Sequence, residues 1–165
     1  DVLTGKRTVK INTGREPNTM VVGYDVHRQL VRHPDIVDLI KYGATPGNPA
    51  VVNEAALAQV FGVRNYYVCQ AVSQTNVENE TAVQAFIQGK HALLLYVTDA
   101  PSKEEPSAGY TFAWTGIGEG VLNENVAISQ WYDQDTRSDV WEIEAGWDNV
   151  LTGTDLGYAF ISCVA

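Results

Sequence analysis

The sequence predicts an α+β fold: a mixed sheet with flanking helices, followed by a part built from long antiparallel strands. Three patterns lead to it. First, Thr19–Val22 is a short, β-branched apolar run bounded by Pro17 and Gly23, as a buried strand requires. Past Gly23 the spacing turns helical, with Val26 and Leu30, then Ile36 and Ile40, four apart. Second, apolar strand-like runs recur at 63–72, 83–87 and 92–98, enough for the sheet those helices would cover. Third, residues 126–132 and 139–147 alternate apolar and polar side chains, the mark of antiparallel strands with one wet face.

Taken in order, residues 1–14 carry Val2, Leu3, Val9 and Ile11 and stop at Gly14, which suits the end of a helix. After the Thr19–Val22 strand the spacing predicts helices near 24–32 and 34–42. They are split by Pro34, which breaks a helix interior but is favoured in a first turn beside Asp35. Two glycines and two prolines make Gly43–Ala50 a loop. Asn53 then caps a short helix whose face is Leu57, Val60 and Phe61 and whose stop is Gly62. Residues 73–82 are polar and turn-like, and Gly89-Lys90-His91 is a turn before the 92–98 strand. Asp99–Gly109 has the composition of an exposed linker. Beyond it Tyr110–Trp114 alternates, and Gly116, Gly118 and Gly120 interrupt. In 139–147, Trp141, Ile143, Ala145 and Trp147 fall on one face, with Glu142 and Glu144 on the other. Leu156–Val164 is the last strand.

With 165 residues, 45% of them apolar, the chain can bury a sizeable core as one domain or two small lobes. The formal net charge of −9 opposes binding to polyanions, so sequence-specific contact with nucleic acid is not expected. No run reaches the roughly 18–20 apolar residues of a membrane span, and no signal peptide is visible. The chain opens on Asp1, with Thr4, Lys6, Arg7 and Thr8 close behind, as a processed product or an excerpt of a longer chain would. Cys69 and Cys163 both lie in strand-like apolar context and read as buried, reduced thiols; the low cysteine count fits a reducing compartment.

No residue pattern calls for a catalyst, a cofactor or a metal. His27 and His33 are six apart, off a common helical face, and with His91 they read as solvated or capping residues. Gly116-x-Gly118-x-Gly120 lacks the spacing and the Lys-Ser/Thr of a phosphate loop, and Glu119 would oppose a phosphate. Asp133, Asp135, Asp139 and Glu144 fall on calcium-loop positions, but Arg137 and Ser138 stand where that loop needs an oxygen donor and a glycine. The better account of Asp133–Asp139 is an inter-strand corner with Arg137 paired to a carboxylate, within or between subunits. Asn79-Glu80-Thr81 matches a glycosylation acceptor but has no secretory context.

The order of blocks is informative. Thr13-Gly14-x-x-Pro17-Asn18-Thr19-x-Val21-x-Gly23 leads through His33-Pro34-Asp35 to Ile40-Lys41-Tyr42. Ala56-Leu57-Ala58-x-x-Phe61-Gly62-Val63 follows and runs on to Ala71-Val72. Then come Gly89-Lys90-x-Ala92-Leu93, Pro106-Ser107-Ala108-Gly109-Tyr110-Thr111-Phe112-x-Trp114, Thr136-Arg137-Ser138-Asp139-Val140-x-Glu142 and Asp155-Leu156-Gly157-Tyr158. Together these resemble the C-terminal half of the tailed-phage major capsid proteins of the Hong Kong 97 fold.

The resemblance implies an axial lobe of residues 15–100 joined by the final strand, 156–164. It also implies a peripheral lobe using 1–14 and 105–155, with the N-terminal arm, the extended loop and most of the spine helix lying before Asp1. It implies a structural, non-enzymatic role in the virion capsid, assembled in the host cytoplasm. The partners would be copies of itself in capsomers, together with other virion proteins, and no membrane. Shell contacts of this kind need polar surfaces and ordered loops; the candidates are Gly43, Pro46 and Asn48 in one loop and Asp133, Asp135, Arg137 and Asp139 in the corner. The alternatives are an encapsulin-like nanocompartment subunit of the same fold, and a β-rich carbohydrate-binding or hydrolysing domain using Trp131, Trp141 and Trp147.

Overall fold

In a computed structural model of the chain, residues 1–43, 52–114, 116, 121–123 and 126–164 are described. They form two compact units, one of residues 1–108 with 153–165 and one of residues 109–152.

The first unit is built on a four-stranded mixed sheet. Its strands are β1 (Thr19–Gly23), β2 (Asn65–Cys69), β5 (Ala92–Leu95) and β11 (Gly157–Phe160), in the order β11-β5-β1-β2. Only the β1–β2 pair is parallel. Parallel neighbours cannot be joined by a tight turn, so a crossover must lie between them. Helices α2 (Tyr24–Arg32), α3 (Pro34–Gly43) and α4 (Glu54–Phe61) supply it. The register sets Met20 beside Tyr66 and Leu94, and Leu94 beside Tyr158; the next row on the same face is Val68, Val22, Ala92 and Phe160. Val26 of α2 and Leu57 of α4 close over these rows, and Val22, Leu57 and Leu94 are fully buried.

Local chemistry sets the helix ends. Helix α1 (Val2–Thr13) stops at Gly14, whose φ of 72° is open to glycine at little cost. The Asn53 side chain accepts a hydrogen bond from Ala56 N at 2.8 Å, and Gly62 closes α4 in a left-handed conformation. Lys6 of α1 is buried and donates to the Gly62 carbonyl at 2.5 Å, so one ammonium satisfies the C-terminal end of α4. Between α2 and α3, His33 gives its N–H to Leu30 O, and its own carbonyl accepts from Ile36 and Val37. These are backbone bonds, and the His33 imidazole itself lies 3.8 Å from the Asp35 carboxylate. Asn18 braces the sheet end: its side chain bonds both the N–H and the carbonyl of Val97, and its carbonyl accepts from Arg64 and Asn65.

Gly23 joins β1 to α2 with an ordinary φ of −70°. Space is what demands glycine there, because a Cβ would run into the backbone carbonyls of Gln88 and Gly89.

Several expectations are corrected. The 63–72 and 83–87 runs do not both enter the main sheet. The first becomes β2, and Val72–Gln74 (β3) turns away to pair only with Gln84–Phe86 (β4) as a separate exposed ladder. Cys163 is exposed and Cys69 half-buried; both are free. Cys69 ends β2 and Cys163 follows β11, the two outer strands of the sheet, so they are not sheet neighbours. His27 is half-buried and shares a 3.2 Å hydrogen bond with the Tyr66 hydroxyl rather than standing in solvent. Helix α1 packs against β5, β11 and the turn at Thr154–Leu156.

The second unit holds two ladders. Tyr110–Ala113 (β6) pairs with Trp147–Val150 (β10), and Val121–Asn123 (β7) pairs with Val126–Asp133 (β8), which pairs in turn with Ser138–Ala145 (β9). The 139–147 run is thus two strands. Gly146 separates them, and Trp147 belongs to the other ladder.

Candidate functional site

The β8–β9 hairpin carries most of the expected contact residues. Its register pairs Ile128 with Ile143, Gln130 with Trp141 and Tyr132 with Asp139 on one face. The other face pairs Ala127 with Glu144, Ser129 with Glu142 and Trp131 with Val140. Trp141, Ile143 and Tyr132 are 63%, 69% and 59% exposed, so the first face offers a run of large apolar groups to solvent. Glu142 and Glu144 are exposed on the second. The one-wet-face expectation is therefore too simple, since the apolar face is open as well. Trp131 and Trp141 sit on opposite faces, and Trp147 lies on another ladder, so the three tryptophans form no common stacking platform.

The hairpin's turn is a self-bonded acidic corner. Asp133 Oδ1 accepts from Asp135 N at 3.0 Å, and Asp133 Oδ2 accepts from Thr136 Oγ1 at 2.8 Å. These bonds, that of Thr136 foremost, hold the Asp133 carboxyl below its ordinary range. Arg137 occupies a left-handed conformation with φ of 49°, which glycine or asparagine fills more easily. Among the described residues it pairs with no carboxylate. Asp133, Asp135, Arg137 and Asp139 are thus brought together, while Gly43 closes α3 in the other unit. Pro46 and Asn48 lie outside the described residues, as do Gly118 and Gly120.

The Asp133 shift has a testable sign. A depressed carboxyl pKa stabilises the corner above the ordinary carboxylate range, and that contribution is lost as pH falls through the depressed value. Thr136→Val should therefore raise the Asp133 pKa, read by NMR titration of its carboxyl carbon. An unchanged titration would show that the Thr136 hydroxyl does not hold it.

Several other titratable groups make contacts within the first unit. Burial, with a smaller push from the Glu54 charge, drives the Tyr66 phenol up, so it stays neutral beside His27. Exposed Arg64 and Asp99 pair across two loops, and Glu16 binds Lys10 at 2.9 Å. Among the described residues no three His, Cys, Asp or Glu side chains cluster as metal ligands, and no helix is long and apolar enough to cross a membrane.

With this geometry, comparison with known proteins is informative. No family model matches the chain. Over 117 residues it is 31% identical to the major capsid protein of Burkholderia phage BcepMu, a match spanning 68% of this chain and 36% of the relative. The chain is similar to a phage major capsid protein. Its fold is also that of a phage-related protein from Bordetella bronchiseptica, with a TM-score of 0.78 and 23% identity. That likeness covers 99% of this chain and 50% of the other. The chain thus spans only a third to a half of the proteins it matches.

Proposed function

We propose that the chain is part of the structural subunit of a phage or prophage capsid shell of the Hong Kong 97 type. The subunits self-assemble into five- and six-membered rings that enclose the genome. In this reading residues 15–100 with 156–164 are the axial lobe, and 1–14 with 105–155 contribute to the peripheral lobe. The partners are further copies of the same chain and other virion proteins; the work is structural and not enzymatic, in the virion.

The observation that carries this reading is the open apolar face of the β8–β9 hairpin. Monomeric proteins rarely leave such a contiguous face in water, and aromatic side chains of this kind anchor protein interfaces. The similarity to a phage capsid protein favours the shell over the nanocompartment, and the scattered tryptophans disfavour a carbohydrate platform.

The hairpin predicts a specific loss. Trp141→Ser with Ile143→Ser should cut the yield of assembled particles about tenfold or more, as loss of interface anchors does. Because both side chains are exposed, the melting temperature should stay near that of the parent. Particles formed at the parental yield would remove the hairpin face from the assembly interface.

A further inference from the structure

Helix α2 has a second face that its packing leaves unused. While Val26 and Leu30 turn to the core, Asp25, Arg28, Gln29 and Arg32 stand at positions i, i+3, i+4 and i+7. With Lys90 from the turn before β5 and Val164 after β11, they line an open cleft of about 260 Å³. Arg28, Arg32 and Lys90 are exposed, and among the described residues none of the three is paired with a carboxylate. Asp25 is the cleft's one acid. Three unpaired cations on one cleft stand out in a chain whose net charge is −9.

The hairpin corner mirrors this arrangement. Asp133, Asp135 and Asp139 flank the single cation Arg137 along the chain, and among the described residues no ion pair neutralises them. The cleft thus presents three positive charges and one negative, and the corner three negative and one positive. Asp25 and Asp133 are half-buried and the other six charged groups are exposed, so neither free surface holds a fully buried charge.

We propose that the Arg28–Arg32–Lys90 cleft of one subunit receives the Asp133–Asp139 corner of a neighbouring copy, with Arg137 of the corner facing Asp25. This assignment rests on the shell reading and names a contact within it. The two surfaces differ, so the contact is heterologous, the type that closes into rings when the rotation allows. Arginine suits it better than lysine, because its planar fork matches carboxylates two bonds at a time. The complementary charges would select the neighbour's corner and reject a like-charged surface. Arg137 accepts a strained backbone position that glycine would fill more easily, and the proposed pairing with Asp25 gives that side chain a use.

A charge swap in the full-length protein tests the contact. Arg28→Glu with Arg32→Glu, and separately Asp135→Arg with Asp139→Arg, should each lower the yield of sedimenting assemblies about tenfold or more. The four substitutions combined should restore it, and melting temperatures should stay close throughout because every site is exposed. Either double variant assembling at the parental yield overturns the proposal and leaves the shell reading standing. Losses without rescue also overturn it, since the two surfaces then do not meet each other. If the Arg28/Arg32 variant instead loses only binding to a labelled DNA duplex, the cleft is a phosphate site and the proposal is wrong. A parent that forms no assemblies refutes the shell reading itself.

Discussion

Gly23→Ala is expected to destabilise the first unit by about 3 kcal/mol, the upper part of the range for forcing atoms into a filled site. The added methyl group would meet the backbone carbonyls of Gln88 and Gly89, which cannot swing aside as a side chain can. Gly23 is also tied in place, since its N–H donates to His91 O at 2.9 Å. Relief would therefore require moving either the end of β1 or the turn that leads into β5. For a chain of this size the loss corresponds to a fall in melting temperature of roughly 6–12 °C. A fall of less than about 2 °C would show that the Gln88–Gly89 turn yields freely.

Leu94→Ala should cost about 3–4 kcal/mol, read from the midpoint of urea unfolding. Leu94 has no exposed surface, lies between Met20 and Tyr158 in the sheet register, and belongs to the cluster covered by α2 and α4. Truncation removes its transfer energy and leaves a cavity whose walls, strand backbones among them, cannot collapse. Leu3→Ala is the control: Leu3 is 80% exposed, so its loss should change stability by no more than about 0.5 kcal/mol. Equal effects at the two positions would contradict the placement of the core.

The first unit was largely legible from residue order. Helical spacing past Gly23, the break at Pro34, the Asn53 cap and the stops at Gly14 and Gly62 are local signals, and local physics decides helix ends. Which strands share a sheet is decided by distant contacts, and there local reading failed. Ser73 and Gln74 read as the start of a polar turn, yet Val72–Gln74 is a strand that pairs only with Gln84–Phe86. The alternation of Trp141, Ile143, Ala145 and Trp147 runs unbroken through the Gly146 joint, so periodicity could not reveal two strands; the glycine was the available sign.

The candidate site divides in the same way. The Asp133–Asp139 corner is legible because its four charges fall within seven residues, whereas the cleft is not, because Lys90 meets Arg28 and Arg32 only after folding. His27 reads as a solvated residue for a similar reason: its partner Tyr66 sits on a strand far along the chain.

The central claim is self-assembly into a closed shell, and its most direct measurement is sedimentation velocity of the full-length protein followed by electron microscopy of the fast fraction. The account predicts ring-shaped capsomers or closed particles built from many copies. A single monomeric species persisting at high protein concentration would contradict it.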